Sequence, residues 1–209
     1  MPVPAHRNAA RIIRPRLTSG LFIMLVMLTA GAGMLAAPKA GMATGSGVAY
    51  AAASYLSTDE FLERNFKDGE PEAKALWLKK PHLKVISNIM GVPFNRLRIR
   101  YWTNGSRTVW ILSGIGKTKP ITAGFGIENG QIEDIVVLKY LESRGWEIRH
   151  SFFTDQFKRL SLLEGNQLNR SVDGISGATL SVSAMTRMAR VALYLASQIE
   201  QNKAIKDHE

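Results

Sequence analysis

Asp173-Gly174-Ile175-Ser176-Gly177-Ala178-Thr179-Leu180 is the stretch from which the fold of this chain can be read. Two glycines, one alanine, two hydroxyl residues and one carboxylate share eight positions, and an apolar-periodic run follows at once. Gly174 and Gly177 permit positive φ and close approach to the backbone. Ala178 adds almost no bulk. The pattern predicts a turn that ends at the mouth of a long helix, with the Thr179 hydroxyl presented there. Free backbone N–H groups and the helix dipole at such a place favour an anion, and a phosphate suits it. No lysine or arginine lies inside the stretch, so its backbone amides are expected to do most of the binding.

The helix it opens is expected over about Leu180 to Ala204. Met185, Met188, Ala192, Leu195 and Ile199 recur at spacings of three and four. Ala184, Ala189 and Ala196 allow close seating on a sheet. That sheet is legible upstream. Leu97 to Trp102 and Thr108 to Leu112 flank Asn104-Gly105, and Pro120 to Glu128 and Gln131 to Leu138 flank Asn129-Gly130. Asn-Gly between alternating runs is the strongest short-range hairpin signal, so at least four antiparallel strands are expected. Trp102, Trp110 and Phe125 read as core, since aromatics in strands usually pack.

Before the hairpins, Ser57-Thr58-Asp59-Glu60 reads as a capping box opening a helix to about Phe66, which Lys67-Asp68-Gly69 ends. Pro71 is a favourable first helical position, so a second short helix is expected over Glu72 to Lys80. A third is expected over His82 to Met90, closed by Gly91 with Pro93 beyond. After the hairpins, Phe152 to Leu160 reads as an amphipathic helix with Phe153, Phe157 and Leu160 on one face. Leu162 to Arg170 reads as a polar loop.

Asp173, Gly174, Ser176, Gly177, Ala178 and Thr179 also resemble the flavinylation motif, Asp-Gly-x-Ser/Thr-Gly-Ala-Thr, of FMN-binding domains. The flavin-bearing subunits of the sodium-translocating NADH:quinone reductase and of the Rnf electron-transport complex are examples of that family. The resemblance implies covalent FMN, attached through a phosphoester to Thr179 and held by the other motif residues. It also implies a flavin transferase as the partner that installs it. The family carries a Glu-Thr-x-Gly segment against the flavin. Leu141-Glu142-Ser143-Arg144-Gly145-Trp146-Glu147 matches it loosely, with Ser143 for the threonine, making Glu142, Ser143 and Trp146 candidate flavin contacts. The alternative is a polar turn with a packing tryptophan. The resemblance covers roughly residues 95 to 200 and leaves the segment 57–90 unspecified. Gly114-Ile115-Gly116-Lys117-Thr118 imitates the end of a P-loop, but the first glycine it needs falls on Ile111, and Lys119-Pro120 leads into a strand.

Composition narrows the function. The chain has 209 residues, no cysteine, and 27 basic against 17 acidic residues for a net charge of +10. Without cysteine there is no disulfide, thiol catalysis, Cys-ligated iron–sulfur cluster or Cys-x-x-Cys-His haem attachment. His6, His82, His150 and His208 are far apart without metal-ligand spacing, so no metal site is expected. Arg7, Arg11, Arg14, Arg16 and Lys39 precede residue 52 with no acidic residue among them, so half the excess charge belongs to the N-terminus. No basic stripe interleaves with aromatics, and no nucleic-acid partner is expected.

Residues 17–38 carry no charge and include Leu21-Phe22-Ile23-Met24-Leu25-Val26-Met27-Leu28. About 20 apolar residues suffice to span a bilayer. The positive flank keeps the N-terminal side in the cytoplasm. A small-residue tract, Ala40 to Ala53, then offers a cleavage site after about Ala51, so residues 1–51 read as a signal peptide or a retained anchor. Both place the domain outside the cytoplasm, in the periplasm or on the outer face of the cytoplasmic membrane. The organisation expected is 1–51 for export, 52–92 a short helical segment, and 93–209 an FMN-binding domain.

The fold expected is α+β: a twisted antiparallel sheet packed by helices, including the long C-terminal one. The function expected is electron transfer by covalent FMN, with redox partner proteins at the cytoplasmic membrane. No Gly-x-Gly-x-x-Gly fingerprint, second substrate site or acid–base pair is visible, and no catalytic residue is assigned. A carrier is therefore preferred to a stand-alone enzyme. The alternatives are a flavin-dependent extracytoplasmic reductase and a non-catalytic binding or assembly domain in which the motif is a bare turn.

Overall fold

The computed structural model describes residues 55–67 and 69–206. The N-terminal signal or membrane segment lies outside them, as does Asp68 in the turn read after the first helix. The elements are α1 (Thr58–Asn65), β1 (Glu72–Trp77), α2 (Lys80–Met90), β2 (Arg98–Thr103), β3 (Arg107–Ile115), β4 (Pro120–Glu128), β5 (Gln131–Tyr140), α3 (Ser151–Thr154) and α4 (Thr179–Lys206). Short 3-10 turns cover Trp146–Arg149, Asp155–Phe157 and Glu164–Asn166. Among the described residues, no helix is long and apolar enough to cross a membrane.

The five strands form one antiparallel meander in chain order, β1-β2-β3-β4-β5. The architecture is α+β, as the two hairpin signals and the helical period lead one to expect. Asn129 and Gly130 join β4 to β5 with φ of 51° and 70°, the left-handed pair that a tight hairpin needs. The first hairpin closes over Asn104 to Ser106. There the Asn104 side-chain oxygen accepts from the Ser106 and Arg107 amides at 3.3 and 3.0 Å.

Successive strand residues face opposite sides, and both sides are covered. Trp110, Ile121, Ala123 and Phe125 face Met185, Met188, Ala192 and Leu195 of α4 in the main core. Val109 and Leu138 face Phe61 and Phe66 on the other side, where α1 sits. Ser57 caps α1 with the capping box expected from its sequence. Arg64 binds both Asp134 carboxylate oxygens at 2.7 and 2.8 Å, tying α1 to β5.

Two local expectations are corrected. Glu72 to Lys80 does not form a helix. Residues 72–77 are the edge strand β1, paired with β2 from Glu72 opposite Thr103 to Trp77 opposite Arg98. Glu, Ala, Lys and Leu favour helix by propensity, yet propensity amounts to tenths of a kcal/mol per residue and yields to pairing and to burial of Leu76. Proline does open the next helix, but it is Pro81 in α2, closed by Gly91 at φ 71°. Nor does Phe152 to Leu160 form one helix. α3 stops at Thr154, and Arg159 takes a φ of 61°. The reason lies in β5: Arg159 N donates to Ile132 O at 2.7 Å and Ile132 N donates to Leu160 O at 3.0 Å. That pairing draws the chain out of helical geometry while Phe153, Phe157 and Leu160 remain fully buried.

Candidate functional site: a cleft at the start of the long helix

The motif is seated by every third residue. Val172 and Ile175 pack against the main core, and Ala178 is buried. Asp173, Gly174, Ser176, Gly177 and Thr179 are exposed between them. Ala178 N donates to Ile175 O at 3.0 Å, closing a turn in which Gly177 has φ 78°. Gly177 thus uses the left-handed freedom expected of it; Gly174 does not. Gln156 Oε1 accepts from the Asp173 amide at 2.7 Å and fixes the entry to the turn.

α4 begins at Thr179, one residue earlier than expected. The preceding residue is Ala178, which has no side-chain acceptor. The first helical bond is donated by Val182 N to Ala178 O at 3.0 Å. Among the described residues, no side chain accepts from the amides of Thr179, Leu180 or Ser181. A helix leaves its first amides without intrahelical partners, and here they stay free beside the exposed Thr179 hydroxyl.

The opposite wall is the loop after β5. The Tyr140 hydroxyl donates to Arg144 O and lies 3.0 Å from Ser181 Oγ in the first turn of α4. Burial pushes the Tyr140 phenol up. Gly145 follows at φ 82°, so close to α4 that an added Cβ would lie 3.0 Å from Ala178 Cβ and 2.8 Å from Tyr140 Oη. One bridge and one close contact thus press residues 140–145 against the helix start.

Glu142 supplies a third tie. Its Oε1 accepts from the amides of Lys117, Thr118 and Lys119 at 2.8, 2.6 and 2.7 Å, and its Oε2 from the Thr118 hydroxyl at 3.0 Å. These bonds, that from Lys119 foremost, lower its pKa to about 2. The turn whose sequence imitates a P-loop therefore does gather amides around an anion, but the anion is the chain's own carboxylate. Because the folded pKa lies below the ordinary 4.5, the stabilisation is complete above pH 4.5 and lost as pH falls toward 2. Glu142→Gln should melt below wild type at pH 7, and the gap should narrow as pH falls from 4.5 to 2. A gap independent of pH in paired melting curves would show that the charge is not what the amides hold.

Lys117, Glu142, Ser143, Arg144, Gly177, Ala178, Thr179, Leu180 and Ser181 enclose a cleft of about 360 Å³. A second hollow of about 240 Å³ shares Ser143, Arg144 and Gly177 with it and adds Gly145, Trp146, Glu147 and Ser176. The structure therefore brings Glu142, Ser143 and Trp146 to the motif, 27 or more positions away in sequence. Trp146 is 47% exposed. Arg149 lies over its ring at 5.3 Å and His150 meets it edge-on at 5.0 Å. Asp173 is close in sequence but lines neither hollow.

Lys117, Arg144, Tyr140, Ser181 and Glu147 belong to the site although nothing in the motif points to them. Glu147 Oε2 is the one buried side-chain polar atom without a hydrogen-bond partner among the described residues. Lys117 and Arg144 carry no signal in the sequence because basic residues in a turn and a loop are ordinary solvated surface.

Free amides, a hydroxyl and two basic side chains line the first hollow and an exposed indole lines the second, a pairing that suits a molecule with an anionic part and an aromatic part. Residues 116–194 match the family model described as the FMN-binding domain, and every residue lining the two hollows falls inside that span. The resemblance carried by Asp173 to Thr179 is borne out by this match, whose family includes the flavin-bearing subunits of the two redox complexes. No curated protein matches the chain.

The residues present fit FMN. The uncapped α4 amides suit its phosphate, the Thr179 hydroxyl lies at the same point, and Trp146 offers an aromatic face. Glu147, which lines the second hollow, has a buried carboxylate oxygen without a hydrogen-bond partner among the described residues, an acceptor that the fold itself leaves unsatisfied.

Proposed function

We propose that this protein is an extracytoplasmic electron-transfer flavoprotein whose FMN is joined through a phosphoester to Thr179. The carrying observation is the exposed Thr179 at the uncapped start of α4, in a cleft that holds two basic side chains and one carboxylate, Glu142, whose oxygens are occupied by the amides of residues 117–119 and the Thr118 hydroxyl. The family match supports FMN; the motif resemblance supports the bond. Asp173, Gly174, Ser176, Gly177 and Ala178 shape the attachment turn, and Glu142, Ser143 and Trp146 form the opposite wall. In the attachment, Thr179 Oγ bonds to the phosphorus of an activated flavin nucleotide. The hydroxyl proton is lost and the group previously carried on phosphorus departs, so the protein gains FMN less one water. The isoalloxazine ring supplies electron-transfer chemistry, and the protein holds the ring and excludes water from one side of it.

A separate flavin transferase and redox proteins at the cytoplasmic membrane are the partners this reading requires. The N-terminal positive flank and uncharged span support export. The test is isolation of the chain from the extracytoplasmic fraction and measurement of its intact mass. The mass should exceed the peptide by FMN less water. A colourless protein, or one confined to the cytoplasm, would overturn the corresponding part of the reading.

Asp173 belongs to the making of the bond. Among the described residues its carboxylate meets no partner, and it lines neither hollow, so it has no visible part in holding a bound flavin. Asp173→Asn keeps the size and the amide bond to Gln156. It should fold as wild type by circular dichroism and melting, yet acquire less than about a tenth of the wild-type covalent FMN when coexpressed with the transferase, the scale of a lost charged contact. Full flavinylation would reduce Asp173 to a turn residue.

A further inference from the structure

We infer that Lys117 and Arg144 form a two-cation clamp on the FMN phosphate and that this clamp selects phosphorylated flavin over riboflavin. The inference rests on the FMN reading above but concerns residues outside the attachment motif.

The two side chains come from different segments. Lys117 lies in the turn between β3 and β4, Arg144 in the loop after β5, and both line the cleft that Thr179 opens. Their backbones are pinned. Lys117 N donates to Glu142 at 2.8 Å, and Arg144 O accepts from Tyr140, whose hydroxyl also meets Ser181 of α4. The chain of bonds Lys117–Glu142, then residues 142–144, then Tyr140–Ser181 runs from one cation through the other to the helix that bears Thr179. Their charged ends, by contrast, are free: among the described residues, neither makes a salt bridge or a side-chain hydrogen bond. Long cationic side chains on fixed backbones around an uncapped helix start form an anion site. The dipole and amides of α4 add to it.

The acid in the same cleft does not spoil this balance. Glu142 keeps its charge, but both of its oxygens are occupied by three backbone amides and a hydroxyl. Neither cation is paired with it, since neither Lys117 nor Arg144 makes a salt bridge among the described residues. A phosphate dianion, or the monoanionic phosphodiester after attachment, supplies a counter-ion. Riboflavin lacks that charge and gains nothing from the clamp. Arginine adds a planar fork matched to phosphate oxygens, and lysine a point charge.

The test uses the full chain carrying Thr179→Ala, so that binding is reversible, with FMN and riboflavin as probes and flavin fluorescence as the readout. FMN should bind at least tenfold tighter than riboflavin. Lys117→Ala and Arg144→Ala should each cut that preference about three- to tenfold, and together abolish it, with riboflavin affinity unchanged. Lys117→Arg and Arg144→Lys should retain most of it. Raising salt from 50 mM to 500 mM should shrink it in the parent and leave the double variant unaffected. Equal affinity for the two flavins in the parent, or failure of both to bind, overturns the clamp, as does an FMN preference that survives the double substitution in a folded protein. Covalent attachment is read separately, from the intact mass of the chain with Thr179 present. Full flavinylation without FMN preference sinks the clamp alone. FMN preference without any covalent adduct sinks the attachment reading alone.

Discussion

Thr179→Ala should remove the covalent FMN completely and leave the fold almost untouched. The chemical half is all-or-none, because alanine offers no oxygen for the phosphoester. The structural half follows from where Thr179 sits. It is the first residue of α4, not the residue before it, and its hydroxyl makes no hydrogen bond with the described residues. Ala178 holds the position at which a Ser or Thr would cap the helix, so no cap is lost. Alanine is also the better helix former by a few tenths of a kcal/mol. The melting temperature should move by no more than about 2 °C, as for an exposed substitution. Intact mass should show the bare peptide for Thr179→Ala and the full increment for Thr179→Ser, which keeps the hydroxyl. An unchanged flavin adduct in Thr179→Ala would place the attachment on another residue.

Gly145→Ala should do the reverse, damaging the fold of the site and its flavin together. Two costs combine. An alanine at φ 82° costs about 1 kcal/mol or more for left-handed backbone. Its Cβ would also sit 2.8 Å from Tyr140 Oη and 3.0 Å from Ala178 Cβ, so something must shift. Overpacking of that kind costs about 1–3 kcal/mol. The sum is about 3 kcal/mol, or a melting temperature lower by about 10 °C. The nearest thing to move is the Tyr140 hydroxyl, and with it the bridge to Ser181 that presses the loop against α4. Flavin occupancy should therefore fall as well. Gly130→Ala is the control: φ there is 70° but nothing lies within 4 Å of an added Cβ, so only the backbone cost applies. Equal melting temperatures for the two variants would show that the contact between Gly145 and α4 carries no weight.

The site is only partly legible in the sequence. Asp173 to Thr179 can be read from the chain because a tight turn needs glycine and small residues in adjacent positions, whatever lies around them. Glu142, Ser143 and Trp146 are reachable only through resemblance, and the bond of Glu142 to the amides of residues 117–119 is foreseeable from neither. The same amides look, in sequence, like a failed P-loop. The long polar side chains of Lys117 and Arg144 give no sign at all, since nothing local tells a solvated cation from one that faces a cleft.

The sequence by itself determined the elements whose cause is local: both Asn-Gly hairpins, the capping box of Ser57, Gly91 as a helix stop, and the amphipathic α4 with its small-residue turn. Each depends on dihedral preferences or periodicity within a few residues, and these act before any long-range contact forms. Tertiary structure decided the rest. It made a strand of Glu72 to Trp77, because pairing with β2 outweighs a helical preference worth tenths of a kcal/mol per residue. It unwound the segment after Thr154, because β5 takes the backbone of Arg159 and Leu160. It also gathered Lys117, Arg144 and Thr179 into one cleft across gaps of 27 and 35 residues. Bringing such distant groups together costs chain entropy that no neighbouring residue can offset; only the closed meander with α4 packed across it does so.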